Sequence, residues 1–192
     1  MNRQHRLYDL LARLLAYPDA EYPHAVRSCQ QLLGELHPEQ SESLDRFVSY
    51  VQGAALEDLE ELFTRTFDLN PVCCLEVGWQ LHGEDYNRGS FMVAMRQQLR
   101  AYGVPETIEL PDHLVHLLPL LGRMEPGDAG PLCAASILPA LTKMQAGLEG
   151  SNNPYEEVLL AVHRLLEPLA APYPQPSQAL TQIQEKEEVV HG

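Results

Sequence analysis

Residues 56–85 read LEDLEELFTRTFDLNPVCCLEVGWQLHGED. In the first half, Leu56, Leu59, Leu62, Phe63 and Phe67 recur at spacings of three and four, which places them on one helix face. Glu57, Asp58, Glu60 and Glu61 fall mostly on the other face. Helical periodicity dominates, and almost nothing alternates with the period of two that a strand would show. Asn70-Pro71 closes the helix, because a residue before proline is pushed out of the helical region. Residues 70–83 then hold Pro71, Gly78 and Gly83 with no sustained period, and read as a loop. The stretch carries eight carboxylates against one cation, Arg65, a balance of −7 in a chain of −14. It also contains the sole tryptophan, Trp79, and two of the four cysteines.

The same helical period extends in both directions. Upstream, Leu7, Leu10, Leu11, Leu14 and Leu15 form one stripe, ended by Pro18. A second helix from about Pro23 turns Val26, Cys29, Leu33 and Leu36 inward and stops before Pro38. A third carries Leu44, Phe47, Val48 and Val51 and meets Gly53. Downstream, a helix from about Glu84 to Tyr102 presents Phe91, Met92, Met95, Leu99 and Tyr102. After a loop at 103–111 comes LPDHLVHLLPLL, with Asp112 or a start at Leu110 opening the helix and Pro119 kinking it. Another helix covers roughly Pro131 to Leu148, kinked at Pro139. Asn153-Pro154-Tyr155-Glu156 is a start signal for the last, which carries Val158, Leu159, Val162, Leu165, Leu166 and Leu169. The expectation is an all-α fold of about eight helices in one domain over residues 1–171. Residues 172–192 are expected to be a disordered acidic tail.

Composition narrows the function. The chain has 192 residues, enough to bury a substantial core. Its acidity repels nucleic-acid backbones and anionic lipid heads and favours a cationic partner. No apolar run approaches the roughly 20 residues that span a bilayer. The basic, leucine-rich start resembles a signal peptide superficially, but Asp9 and Arg13 interrupt it and no small-residue cleavage site follows. The four cysteines do not form a secreted disulfide framework, so the cytoplasm is the expected compartment.

Catalytic patterns are weak. Cys73 and Cys74 are adjacent, which gives no redox spacing, and they read as buried or half-buried thiols of a loop. His113 and His116, three apart, could supply half a metal site with Glu109 or Asp112, the other half coming from His82, Glu84 or Asp85. No HExxH, CxxC or repeated Glu-x-x-His supports it, and two solvent-reaching histidines on a helix explain the same letters. No glycine-rich phosphate loop occurs. The acidic helix face at 57–61 could be simply solvated, giving an acidic scaffold with no groove. The alternative is that acidity continuing past the helix, beside Trp79 and Tyr86, rims a peptide groove in which carboxylates meet arginine or lysine.

Residues 59–89, LEELFTRTFDLNPVCCLEVGWQLHGEDYNRG, with Phe67-Asp68-Leu69, Pro71, Glu76 and Gly83-Glu84-Asp85-Tyr86, resemble the signature of the NarJ family. These are nitrate reductase molybdenum cofactor assembly chaperones, related to the TorD/DmsD redox-enzyme maturation proteins. The PDHL element at 111–114 and the opening helix ending LLAYP extend the likeness to roughly residues 5–170. The Cys-Cys pair, where the wider group is proline-rich, fits NarJ better than TorD or DmsD. The resemblance implies an all-helical TorD/NarJ-like cytoplasmic chaperone, not an enzyme, with no cofactor of its own. Its implied partner is the N-terminal segment of the catalytic subunit of respiratory nitrate reductase, held ready for molybdenum cofactor insertion, with cofactor delivery proteins as further partners. By resemblance, Glu76, Asp85, Tyr86, Asp112 and His113 are peptide-contact candidates; Trp79 and Glu84 are added on physical grounds. The rival expectation is a small helical metal-dependent enzyme using His113, His116 and loop carboxylates.

Overall fold

The structure, a computed structural model, describes residues 2–173, and most of its helices form where the apolar stripes place them. In order they are α1 (Arg3–Leu14), α2 (Tyr22–Leu36), α3 (Asp45–Gly53), α4 (Leu56–Phe63), α5 (Val77–His82), α6 (Tyr86–Ala101), α7 (Leu114–Arg123), α8 (Pro126–Leu132), α9 (Leu138–Leu148) and α10 (Tyr155–Ala170). The fold is all-α. Among the described residues the one extended pairing is an isolated antiparallel bridge between Glu76 and His113. All but the first two residues of the expected 172–192 tail lie outside the described residues.

Helices α1 and α7 pack against each other, and sequence explains why they meet closely. A Cβ at Gly122 would stand 2.9 Å from the Tyr8 Cβ, so only glycine admits this approach. Beside it Arg123 donates to both carboxylate oxygens of Asp9, at 2.8 and 3.2 Å, and to the Pro119 carbonyl at 2.8 Å. A second centre is aromatic. The Tyr155 ring lies 4.8 Å from Phe67 and 5.0 Å from Phe47 in tilted or edge contacts, which favours the ring quadrupoles. The Tyr22 hydroxyl meets the Tyr155 hydroxyl at 3.1 Å and donates to the Leu14 carbonyl at 2.7 Å. Burial pushes both phenols above their ordinary range, so they stay neutral. Each fully buried leucine around these centres contributes about 1.5–3 kcal/mol.

Three sequence expectations change. The 70–83 loop contains α5, because Val77, Gly78 and Gln80 are buried by neighbours that a window of sequence does not show. The helix expected from Pro131 starts earlier: Pro126 sits at the first turn of α8, where a missing N–H costs nothing. The run then widens into a π turn over Cys133–Ile137, with Leu138 N donating to the Cys133 carbonyl. This turn directly precedes Pro139, which has no N–H for the preceding turn. Finally, α7 is capped by His113 and not Asp112. Its Nδ1 accepts the Val115 N–H at 3.1 Å, while Asp112 is turned inward.

Candidate functional site

Local chemistry holds residues 70–78 in place. Asn70 Oδ1 accepts the Val72 N–H at 3.2 Å, starting the turn. From α5, Gln80 Nε2 donates to the Val72 and Cys74 carbonyls at 3.0 Å each, and Trp79 Nε1 donates to the Pro71 carbonyl at 3.2 Å. Arg88 lies over the Trp79 ring, 5.3 Å from its centroid. Val77 N donates to the Asp112 carbonyl at 2.9 Å and Leu114 N to the Leu75 carbonyl at 3.0 Å, so two extended segments are stitched side by side. Asp112 Oδ2 accepts the Gly78 N–H at 3.1 Å and lies 3.6 Å from Arg88 Nε. Asp112 Oδ1 and Arg88 Nε have no hydrogen-bond partner among the described residues. Burial raises the Asp112 pKa above the usual carboxylate range, with Arg88 opposing the shift.

One edge of this stitched pair forms the wall of a cleft of about 590 Å³. Its floor is apolar: Phe63 and Phe67 from α4 and the π turn (Thr64–Asp68) that follows it, Leu75 from the stitched segment, and Val115 from α7. Tyr17 and Ile108 flank it. Asp68, Glu76 and Glu109 rim it, and Asp19 at its edge is already paired with Arg13 at 2.5 Å. The rim carboxylates feel one another. Asp68 is raised by burial, opposed by Thr64, with Glu76 adding to the rise. Glu109 is raised by burial, then by Glu76 and Asp68, with His116 opposing.

The sequence-derived candidates fall in three places. Glu76 and His113 line the cleft. Asp112 is fully buried behind it, and Trp79 is half-buried under Arg88. Glu84, Asp85 and Tyr86 form the exposed α5–α6 junction beyond the far end of α5, and do not line the cleft. Tyr86 is 88 % exposed, and Asp85 caps α6 by accepting the Asn87 N–H at 2.8 Å. Of the acidic helix face, Glu57, Asp58 and Glu61 are exposed and Glu60 half-exposed, away from the cleft.

Asp68, Glu109 and Ile108 stand in the wall without having been singled out as contacts. Their signal was weak: Ile108 is an apolar residue in a long loop with no helical stripe to join.

The histidines on which the metal-dependent reading rested are turned inward. They are buried rather than solvent-reaching. His113 Nδ1 accepts a backbone N–H, and burial, with His116 adding, lowers its pKa to about 3. Both ring nitrogens of His116 are bonded to the 107–110 loop. Among the described residues no group of three or more His, Cys, Asp or Glu side chains is arranged to hold a metal ion. Cys73 is buried, with Sγ 3.5 Å from the Met144 carbonyl; Cys74 is half-buried, and burial pushes its thiol up to about 12. Among the same residues no helix is long and apolar enough to cross a membrane.

An all-α chain with this architecture has the fold of the redox-enzyme maturation proteins. A solved crystal structure of a candidate redox enzyme maturation protein from Archaeoglobus fulgidus superposes with a TM-score of 0.60, covering 87% of this chain and 94% of that one at 18% identity, a likeness of fold. The chain belongs to the nitrate reductase delta subunit family, whose model matches residues 33–161. It is 27% identical over 124 residues to the nitrate reductase molybdenum cofactor assembly chaperone NarJ of Escherichia coli K12, and equally to that of strain O157:H7. The match covers 62% of this chain, and the chain spans about half (52%) of those relatives.

Proposed function

We propose that this protein is an assembly chaperone for a molybdenum-containing nitrate reductase. In this reading it binds the N-terminal segment of the catalytic subunit in the cytoplasm and keeps that subunit competent for cofactor insertion. It performs no covalent chemistry of its own. Family membership and the names of the Escherichia coli relatives support the chaperone role. The observation that carries the peptide reading is the cleft itself: Asp68, Glu76 and Glu109 over an aromatic and aliphatic floor. A segment combining arginine or lysine with leucine or phenylalanine satisfies both halves. Its cation relieves the mutual repulsion of the rim, and its apolar side chains gain about 25 cal/mol per Å² removed from water. Ordering a flexible tail offsets part of that gain, so binding is reversible, as a chaperone requires.

Calorimetric titration with a synthetic peptide of the catalytic subunit's first residues tests this. Heat that saturates, weakens with salt and is reduced by E76Q is expected. Absence of binding, or binding indifferent to Glu76, Asp68 and Glu109 together, refutes the cleft as the site.

A further inference from the structure

The wall carrying Ile108 and Glu109 is a loop with little packing of its own, since residues 105–110 are all exposed. It is nevertheless held at three points. At its start Glu106 accepts from Arg96 Nε at 2.7 Å and lies 3.7 Å from Arg100 Nε, both on α6. The other two points belong to one side chain. His116, buried in α7, accepts the Thr107 N–H at Nε2 (2.9 Å) and faces the Leu110 carbonyl with Nδ1 (2.9 Å). A backbone N–H can only donate, so Nε2 carries no proton. The ring proton therefore sits on Nδ1 and is given to Leu110. The Thr107 hydroxyl, 3.0 Å from Nε2, then donates to it as well, and its oxygen accepts the Glu109 N–H at 3.3 Å. One imidazole thus ties residues 107 and 110, and through Thr107 also 109, on either side of Ile108. That side chain is held 96 % exposed at the edge of the cleft.

We propose that His116 is a positioning residue for the client cleft: it fixes the 107–110 loop so that Ile108 and Glu109 meet an incoming cationic, amphipathic segment already in place. The proposal rests on the cleft being the client site. His116 itself touches no client. Its contribution is preorganisation, since a loop ordered before binding does not have to be ordered by it. The dual bond is specific to imidazole. A glutamine amide reaches only the Nε2 position and an asparagine amide only the Nδ1 position, and leucine fills the space without either bond.

The test is a double-mutant cycle on the full chain, read by titration with the same N-terminal peptide. I108A alone is expected to weaken binding about fivefold. H116L is expected to weaken it by a similar factor, and I108A added to H116L is expected to cost little more, because the loop is already released. Amide exchange at Thr107 is expected to be slow in the unmodified protein and fast in H116L, while amides of α1 and α10 keep their protection. A merely structural histidine would instead give independent effects, with I108A costing the same factor in both backgrounds. That result, or unchanged affinity in H116L, overturns the positioning role and leaves the cleft reading standing. No binding by the unmodified protein overturns the cleft reading and the positioning role with it. If H116L does not fold, H116Q keeps the bond to Thr107 and releases Leu110, and the cycle with I108A is run there with the same two outcomes.

Discussion

Replacing His113 by asparagine separates two properties of that side chain. Asparagine Oδ1 occupies nearly the place of imidazole Nδ1, so the cap on the Val115 N–H is retained while the ionisable group is lost. In the folded protein burial lowers the His113 pKa from 6.5 to about 3, with the neighbouring His116 adding to the fall. The unfolded chain therefore binds a proton between those values that the folded chain refuses. Stability from this group is complete above the unfolded value and is lost as pH falls towards 3. At about 1.4 kcal/mol per pH unit, the loss between pH 7 and pH 5 comes to about 2 kcal/mol. Asp68, Glu109 and Asp112, whose pKa values are raised, act in the opposite sense but are present in both proteins, so the comparison cancels them. Urea denaturation of both proteins at the two pH values gives the answer. The unmodified protein is expected to lose about 2 kcal/mol more than H113N, whatever the variant costs at pH 7. Equal losses would show that His113 is not held neutral, and the account of its burial and cap would fail.

Three further outcomes follow from the same region. G78A places a Cβ 2.5 Å from Asp112 Oδ2 and 3.1 Å from the Phe91 ring, so it is expected to cost about 1–3 kcal/mol in chemical denaturation. A change under 0.5 kcal/mol would mean the stitched segments are loosely held. R88L leaves the buried Asp112 carboxylate without its cation and is expected to cost about 3 kcal/mol, much of it recovered by adding D112N; an additive double mutant would deny the pairing. D85A removes the α6 cap and is expected to lower stability by about 1 kcal/mol while leaving peptide affinity within twofold, and a large affinity loss at constant stability would place the α5–α6 junction in the client site.

Most of the fold was legible because amphipathic helices declare themselves locally. The stripe Leu7, Leu10, Leu11, Leu14 and Leu15 predicts one face of α1; Leu10 is half-buried at its edge and the other four are buried. Asn153-Pro154 predicts the start of α10, where Asn153 Oδ1 accepts the Tyr155 N–H at 3.0 Å. One exception, α5, is six residues long, too short to show a period or to hold together alone. It forms because Gln80 and Trp79 bond back to the preceding turn and Asp112 receives the Gly78 N–H, a partner 34 residues away.

The candidate site was legible in kind and only partly in position. Charge and aromatic content along 56–85 pointed to an acidic rim over an apolar floor, since composition travels with the chain. Which carboxylates share the rim was a matter of packing. Asp68 is carried there by a π turn, Glu76 by an isolated bridge to His113, and Glu109 by a loop pinned to His116. Asp112, in the PDHL element beside His113, is turned inward by the Gly78 N–H. Helical periodicity and net acidity are properties of neighbours in sequence, and the chain alone determined them. The cleft is made by residues from 13 to 115 meeting in space, and only tertiary packing could bring like charges together and turn His113 and His116 inward.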